Sequence, residues 1–458
     1  MVFSSISFLF FFLPILFLIY FTIPQKYRNI TLLIFSLIFY FFGEKWYVLL
    51  LIFSSTINYL IGKKIGKKKD KKFLLIGIIF DLGLLIYFKY TNFFIENFNG
   101  LLNLSIPSLK VILPLGISFF TFQNLSYLVD VYRKDVECER NLLDYITYIA
   151  LFPQLVAGPI VRYRDIKDEL LERKETIDNF AEGVMRFTIG LGKKVLIADT
   201  LYNSYTTIMA SDLSLISYWL IALMFTFQIY YDFSGYSDMA IGLGKMFGFN
   251  FKENFNYPLV ASSITDFWRR WHMSLSGFFK DYVYIPLGGN RCGKIRNIFN
   301  IFIVWSLTGF WHGASWNFLF WGLYFFLFLI LEKFILKKHF KVGILSRVYT
   351  FLIVTISFVI FSVTDIGALG TFLKGLMGIG TELLNDETLY YLKNNIVIIL
   401  ISFIGMGPWL KKLIEKIKKG KLEKCLSVLE YIYFISILIM AISVLISSTF
   451  NPFIYFRF

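Results

Sequence analysis

The chain of 458 residues holds three histidines, and two of them sit in motifs crowded with aromatic, glycine and arginine residues. His312 lies in Gly309-Phe310-Trp311-His312-Gly313-Ala314-Ser315-Trp316. An apolar run, Ile298 to Trp311, enters this motif, and a second, Trp316 to Leu336, leaves it. An ionisable side chain at membrane depth is costly and is usually retained for function. Histidine titrates near neutral pH, so it suits proton transfer, and Gly309 and Gly313 let the backbone bend or approach closely. The residues alone equally allow an interfacial histidine between tryptophan anchors.

His272 belongs to Asp266-Phe267-Trp268-Arg269-Arg270-Trp271-His272-Met273-Ser274-Leu275-Ser276, which runs on through Lys280-Asp281-Tyr282 to Gly288-Gly289-Asn290-Arg291. Arg269 and Arg270 suit a phosphate or carboxylate, because guanidinium presents a fork of donors. Trp268 and Trp271 could stack on a flat ligand. The competing reading is an interfacial helix anchored at the headgroups by its Trp and Arg residues. Gly288-Gly289-Asn290 is only a turn signal and lacks the pattern of a phosphate-binding loop. The third histidine, His339, stands among Lys337, Lys338 and Lys341 and reads as a solvated loop residue.

These motifs are carried by an apolar chain. Hydrophobic residues make up 57% and aromatic residues 20%, against roughly 45–50% apolar in a soluble domain. The excess recurs in blocks of spanning length, so an all-α polytopic membrane protein is expected, with about eleven crossings plus re-entrant and interfacial segments. The first apolar run is long and lacks a cleavage site, so it should remain as the first helix. A net charge of +15 raises the question of nucleic acid. The lysines answer it, because they cluster in short loops between apolar runs, as the positive-inside bias requires. Cys138, Cys292 and Cys425 form no metal spacing and no disulfide framework.

In chain order, the lysines at 63, 64, 67, 68, 69, 71 and 72 mark one cytoplasmic loop, and those at 411, 412, 416, 418, 419, 421 and 424 mark another. With both loops inside, the N-terminus lies outside. Residues 91–110 read as an outer polar loop, Val111 to Val131 as an inward span, and Tyr145 to Ile160 as a broken or re-entrant segment. Arg162 to Lys194 reads as one or two amphipathic helices, and Leu213 to Tyr231 as a span followed by polar residues. Asp81 is an acid inside an apolar run with no evident partner. No internal repeat is visible. The organisation expected is one integral-membrane domain over 1–458. Its parts are N-terminal helices at 1–110, a core carrying the motifs at 111–340, and C-terminal helices at 341–458.

Together, Trp-Arg-Arg-Trp-His at 268–272 and Trp-His-Gly-Ala-Ser-Trp at 311–316 resemble the membrane-bound O-acyltransferase family. The branch resembled is the bacterial cell-surface polysaccharide O-acetyltransferases of the alginate type. Leu113-Pro-Leu-Gly-Ile-Ser118, Leu155-Val-Ala-Gly-Pro-Ile-Val-Arg162, Tyr231-Asp-Phe-Ser-Gly-Tyr-Ser-Asp238 and the tail 451–458 support it. The resemblance implies that His312 is the catalytic histidine and His272 the second family histidine. Trp268, Arg269 and Arg270 would line or support the donor side. It also implies a helical ring around a thin core, with an outer funnel and a cytoplasmic pocket. The donor would be a cytosolic acyl thioester, acetyl-CoA, with no bound cofactor or metal. The acceptor would be a polysaccharide outside a bacterial cell membrane, reached through a partner of the SGNH-hydrolase type.

The chemistry agrees with this. Acyl transfer from a thioester needs an attacking hydroxyl, a base, and charge stabilisation at the carbonyl oxygen. His312 can be the base or can itself carry the acyl group. Ser315 and Asn317 are nearby hydrogen-bonding candidates. Two other readings compete. One is D-alanyl transfer from a carrier protein to teichoic acid, which shares the motifs. The other is a non-enzymatic transporter or flippase, which predicts paired broken helices in two similar halves.

Overall fold

The apolar blocks fold as helices because a backbone in lipid must satisfy its own hydrogen bonds. The computed structural model describes residues 1–156, 158–336, 342–418 and 423–447, and every regular element among them is helical. Among the described residues six helices are long and apolar enough to cross a membrane: Tyr47–Lys68, Lys71–Leu102, Trp316–Ile335, Ile344–Ser362, Asp386–Gly405 and Val428–Ser447. Phe8–Thr22 and Ile366–Leu376 are shorter apolar helices. Large side chains such as Leu18, Ile79 and Val397 are exposed. Such surfaces are costly in water and at home in lipid. The chain is an all-α, multi-pass membrane protein. His339, the tail 451–458 and residues 419–422 of the second lysine loop lie outside the described residues.

Several segments match the sequence reading. The stretch 142–155 is broken at Leu151 between helices Leu142–Ala150 and Phe152–Leu155. The amphipathic pair is Tyr163–Leu171 and Ile177–Gly192. Two segments differ. The helix from Lys71 continues through a wide turn at Ile86–Tyr90 to Leu102, so the expected outer loop is helical over its first half. The span expected to stop at Tyr231 runs on as one helix, Leu215–Met246. Its polar continuation stays helical because the side chains are buried against partners. Asp232 pairs with Lys194 at 2.8 Å, and Asp238 with Arg186 at 2.6 Å.

The chain divides into two compact units. The first comprises Met1–Phe187, Ser237–Lys252 and Lys280–Tyr282. Within it Asp81 finds its partner, since the Asn58 amide donates to its carboxylate at 2.7 Å. The segment 280–282 is bound there by charge. Arg162 and Arg164 donate to the Asp281 carboxylate at 2.6 and 3.1 Å, and Tyr282 donates its hydroxyl to Asp130 at 2.8 Å. Burial pushes the Asp281 carboxyl up, but the two arginines outweigh it and hold the group below its usual range. The second unit comprises Thr188–Tyr236, Glu253–Phe279 and the described part of 283–458. Both motif histidines lie in it.

Candidate active site

His312 is the last residue of the helix Lys294–His312. Gly313 follows with extended backbone, and the return helix Trp316–Ile330 starts after Ser315. The two arms touch at glycines. A Cβ on Gly309 would sit 2.4 Å from the Phe318 carbonyl oxygen, and one on Gly322 would sit 2.3 Å from that of Trp305. Only hydrogen fits at either place, so the backbones meet directly, as small residues allow between membrane helices. This contact lays Trp321 of the return arm against the end of the first.

Rings therefore surround His312, which is 3% exposed. The Trp321 ring stands 4.8 Å away, Trp311 4.9 Å and Phe361 5.4 Å, each nearly perpendicular to the imidazole. Asn317 sets the third wall. Its side-chain amide donates to the carbonyls of Ile360 and Phe361 at 3.3 and 3.0 Å, tying the return arm to the helix Ile344–Ser362. Ser315 is half-buried beside it.

His272 is fully buried and sits between the short helices Ile264–Trp268 and Met273–Phe279. Its Nδ1 lies 3.2 Å from the Asn254 side-chain oxygen, and Phe233 packs on its ring at 4.7 Å. Phe233 comes from the Tyr231–Asp238 motif, so three sequence motifs converge here. Burial pushes the imidazole down to about 3, which keeps it neutral across the physiological range.

The two histidine motifs share their aromatic walls. Trp311 lies 6.0 Å from His272 and also borders His312. Trp321 borders His312 and lies 5.7 Å from Trp268. Trp268 is buried, with Trp305 at 4.6 Å and Phe325 at 5.0 Å, and Trp271 packs on Phe358 at 5.2 Å. Both indoles expected to stack on a ligand thus pack on protein rings. Arg269 is exposed, and Arg270 pairs with Asp266 at 2.8 Å. Among the described residues no group of three or more His, Cys, Asp or Glu could hold a metal ion.

Two supporting residues carry no sequence pattern. Glu332 is buried at the end of the return arm and accepts from the backbone N–H groups of Ile264 and Thr265 at 2.6 and 3.1 Å. It also accepts from the Thr265 hydroxyl at 3.2 Å, so it anchors the start of the His272 motif. The only signal for it is an acid inside an apolar run. Asn254 is the other, and nothing in the sequence around 252–256 marks it.

An imidazole in a buried aromatic setting, sharing the Trp311 wall with the neutral His272, can take a proton from a hydroxyl or return it. Comparison with known proteins gives the reaction. The family model of the membrane-bound O-acyltransferases matches residues 138–364, which include both histidine motifs. The chain is 43% identical over 398 residues to the probable alginate O-acetylase AlgI of Pseudomonas syringae pv. tomato, covering 84% of this chain and 77% of the relative. It is 35% identical over 422 residues to the peptidoglycan O-acetyltransferase of Helicobacter pylori, covering 83% and 80%. It is 31% identical over 278 residues to the teichoic acid D-alanyltransferase of Bacillus subtilis, covering 56% and 70%. The chain belongs to the membrane-bound O-acyltransferase family and is an O-acyltransferase.

Proposed function

We propose that this protein moves an acetyl group from a cytosolic thioester, acetyl-CoA, to a hydroxyl of an extracytoplasmic polysaccharide, working with a partner of the SGNH-hydrolase type in a bacterial cell membrane. The observation that carries the proposal is the seat of His312. It is buried at a helix end, between aromatic walls that it shares with the His272 motif and Trp268. The named relatives supply the acyl group and acceptor class. Those that acetylate match over more than four fifths of this chain, whereas the D-alanyl relative matches over 56%.

A hydroxyl oxygen attacks the thioester carbonyl carbon while His312 takes the hydroxyl proton. The tetrahedral intermediate collapses, the carbon–sulfur bond breaks, and the leaving thiolate takes the proton from the imidazolium. Arg269 and Arg270 supply fork-shaped donors for the anionic groups of the donor, and the buried Trp268 precedes them in the same motif.

Membranes holding the protein and its partner, supplied with acetyl-labelled acetyl-CoA or a charged alanyl carrier, test this. Label should reach polysaccharide as ester from acetyl-CoA only. His312→Ala and His312→Gln should cut transfer by about 10²-fold or more at normal membrane levels. Near wild-type ester in either variant would return His312 to the role of an interfacial anchor. Transfer from the alanyl carrier alone would replace the acetyl reading with the D-alanyl one.

A further inference from the structure

We infer that Asn254 is a positioning residue, whose side-chain oxygen holds His272 in the tautomer with the proton on Nδ1 and the lone pair on Nε2. This rests on the reading of His272 as part of the transfer site.

The Ser274 backbone N–H donates to Asn254 Oδ1 at 3.1 Å, and the Ser274 hydroxyl donates to it at 2.9 Å. A peptide N–H cannot bond to an amide NH2, so the atom facing this corner is the oxygen. His272 Nδ1 lies 3.2 Å from that same oxygen, and the Ser274 hydroxyl, farther from Nδ1 at 3.5 Å, places its hydrogen on Asn254 Oδ1 at 2.9 Å. A neutral imidazole has one N–H to place, and an acceptor at this distance claims it for Nδ1. Nε2 is then left as an acceptor.

The backbone keeps Asn254 in place. Met273 N–H donates to the Asn254 carbonyl at 3.0 Å, and Asn256 N–H donates to the Arg270 carbonyl at 2.9 Å. The segments before and after the arginine pair are thus laced together across the histidine. His272 itself has φ of +44°, in the left-handed region that a side chain seldom adopts and that its surroundings must enforce. Asn254 is completely buried, and its Nδ2 donates to nothing among the described residues. A buried amide with an unused nitrogen is costly. Its oxygen is the half that is used.

The consequence is a division of labour. His272 can accept a proton or a hydrogen bond through Nε2, and it cannot donate there until it has accepted. It is suited to orient a hydroxyl by receiving its hydrogen. A simpler role would be that Asn254 only caps the helix Met273–Phe279 through Ser274. The two roles differ in their response to charge.

Asn254→Asp keeps the oxygen and the shape and loses only the amide hydrogens, which donate to nothing among the described residues. It also puts a carboxylate beside the imidazole, which raises the affinity of His272 for a proton. The experiment follows acetyl transfer against pH in membranes carrying wild type, Asn254→Asp, Asn254→Ala and His272→Ala. With Asn254→Asp, transfer should be lost on the acid side and recovered as pH rises, the acid limb moving up by about one unit or more. With Asn254→Ala, transfer should fall about tenfold or more with no recovery at any pH, since a wrong tautomer is not repaired by titration. A capping role alone predicts that Asn254→Asp follows the wild-type profile, and that result overturns the inference. Wild-type transfer by Asn254→Ala overturns it too. Should Asn254→Ala fail to accumulate, the profile of Asn254→Asp decides. His272→Ala separates the two levels. Undiminished transfer there removes His272 from the site altogether, while a dead His272→Ala beside an unshifted Asn254→Asp removes only the positioning role.

Discussion

His312 and His272 are buried to nearly the same degree, and they are held by different means. Perpendicular rings bound His312 on three sides, from Trp311, Trp321 and Phe361. His272 also has a perpendicular ring against it, from Phe233, but an amide oxygen and a laced backbone hold it as well. Rings fix where the imidazole of His312 sits. An amide oxygen decides the proton in advance. In the proposed reaction the first arrangement suits a group that gains and loses a proton in each turnover. The second suits a group that presents one fixed acceptor.

The comparison can be broken first on the ring side. Trp321→Ala removes the wall nearest His312 and the link to Trp268, and leaves the Asn254 clasp untouched. Deleting a buried Trp costs about 3–5 kcal/mol, and freeing the imidazole by even an ångström should slow transfer about a hundredfold. Thermal unfolding of the detergent-solubilised protein and a transfer assay read the two effects. Equal transfer in variant and wild type would mean that the rings do not position His312.

A smaller effect is expected on the His272 side from Glu332→Ala. Ile264 and Thr265 lose their shared acceptor, and leaving the buried Ile264 N–H unpaired costs about 1–3 kcal/mol. Protease sensitivity should rise within 262–276 and stay unchanged at the glycine contact of the hairpin. Protection unchanged in both places would show that Glu332 does not anchor the motif.

A last effect lies in the pH dependence of stability. The folded protein holds His272 at about 3, below its ordinary 6.5. The unfolded chain therefore binds the proton more readily, so this contribution is complete above about 6.5 and is lost as pH falls towards 3. His272→Gln should flatten part of the decline of the melting temperature over that window. An identical slope in both proteins would mean that His272 does not titrate on unfolding.

How much of this was legible follows from the range of each interaction. The hairpin around His312 is readable because its arms are contiguous apolar runs and its contact residues are glycines. Trp268, Arg269 and Arg270 are readable as a motif, but the packing of Trp268 among Trp305, Trp321 and Phe325 is not, because the partners come from later helices. The helix Leu215–Met246 reads as ending at Tyr231, since Asp232 to Asp238 look like a loop until Lys194 and Arg186 are brought against them. Asn254 meets His272 from eighteen positions away, through an oxygen that no composition or periodicity would single out. Glu332 shows only as one acid in an apolar run.

The glycine contact between the two arms has a consequence for assembly. Two of the three rings around His312 come from the same hairpin as the histidine, whose arms are joined by a turn of three residues, Gly313 to Ser315. Contacts so close along the chain form early and cost little loop-closure entropy. Most of the cage is therefore complete once the second arm has been inserted into the membrane. The last wall arrives only when Ile344–Ser362 docks and the amide of Asn317 captures its final turn. Completion of the site is thus a late event at a single helix, and a chain halted before that helix would carry a formed hairpin with an open side.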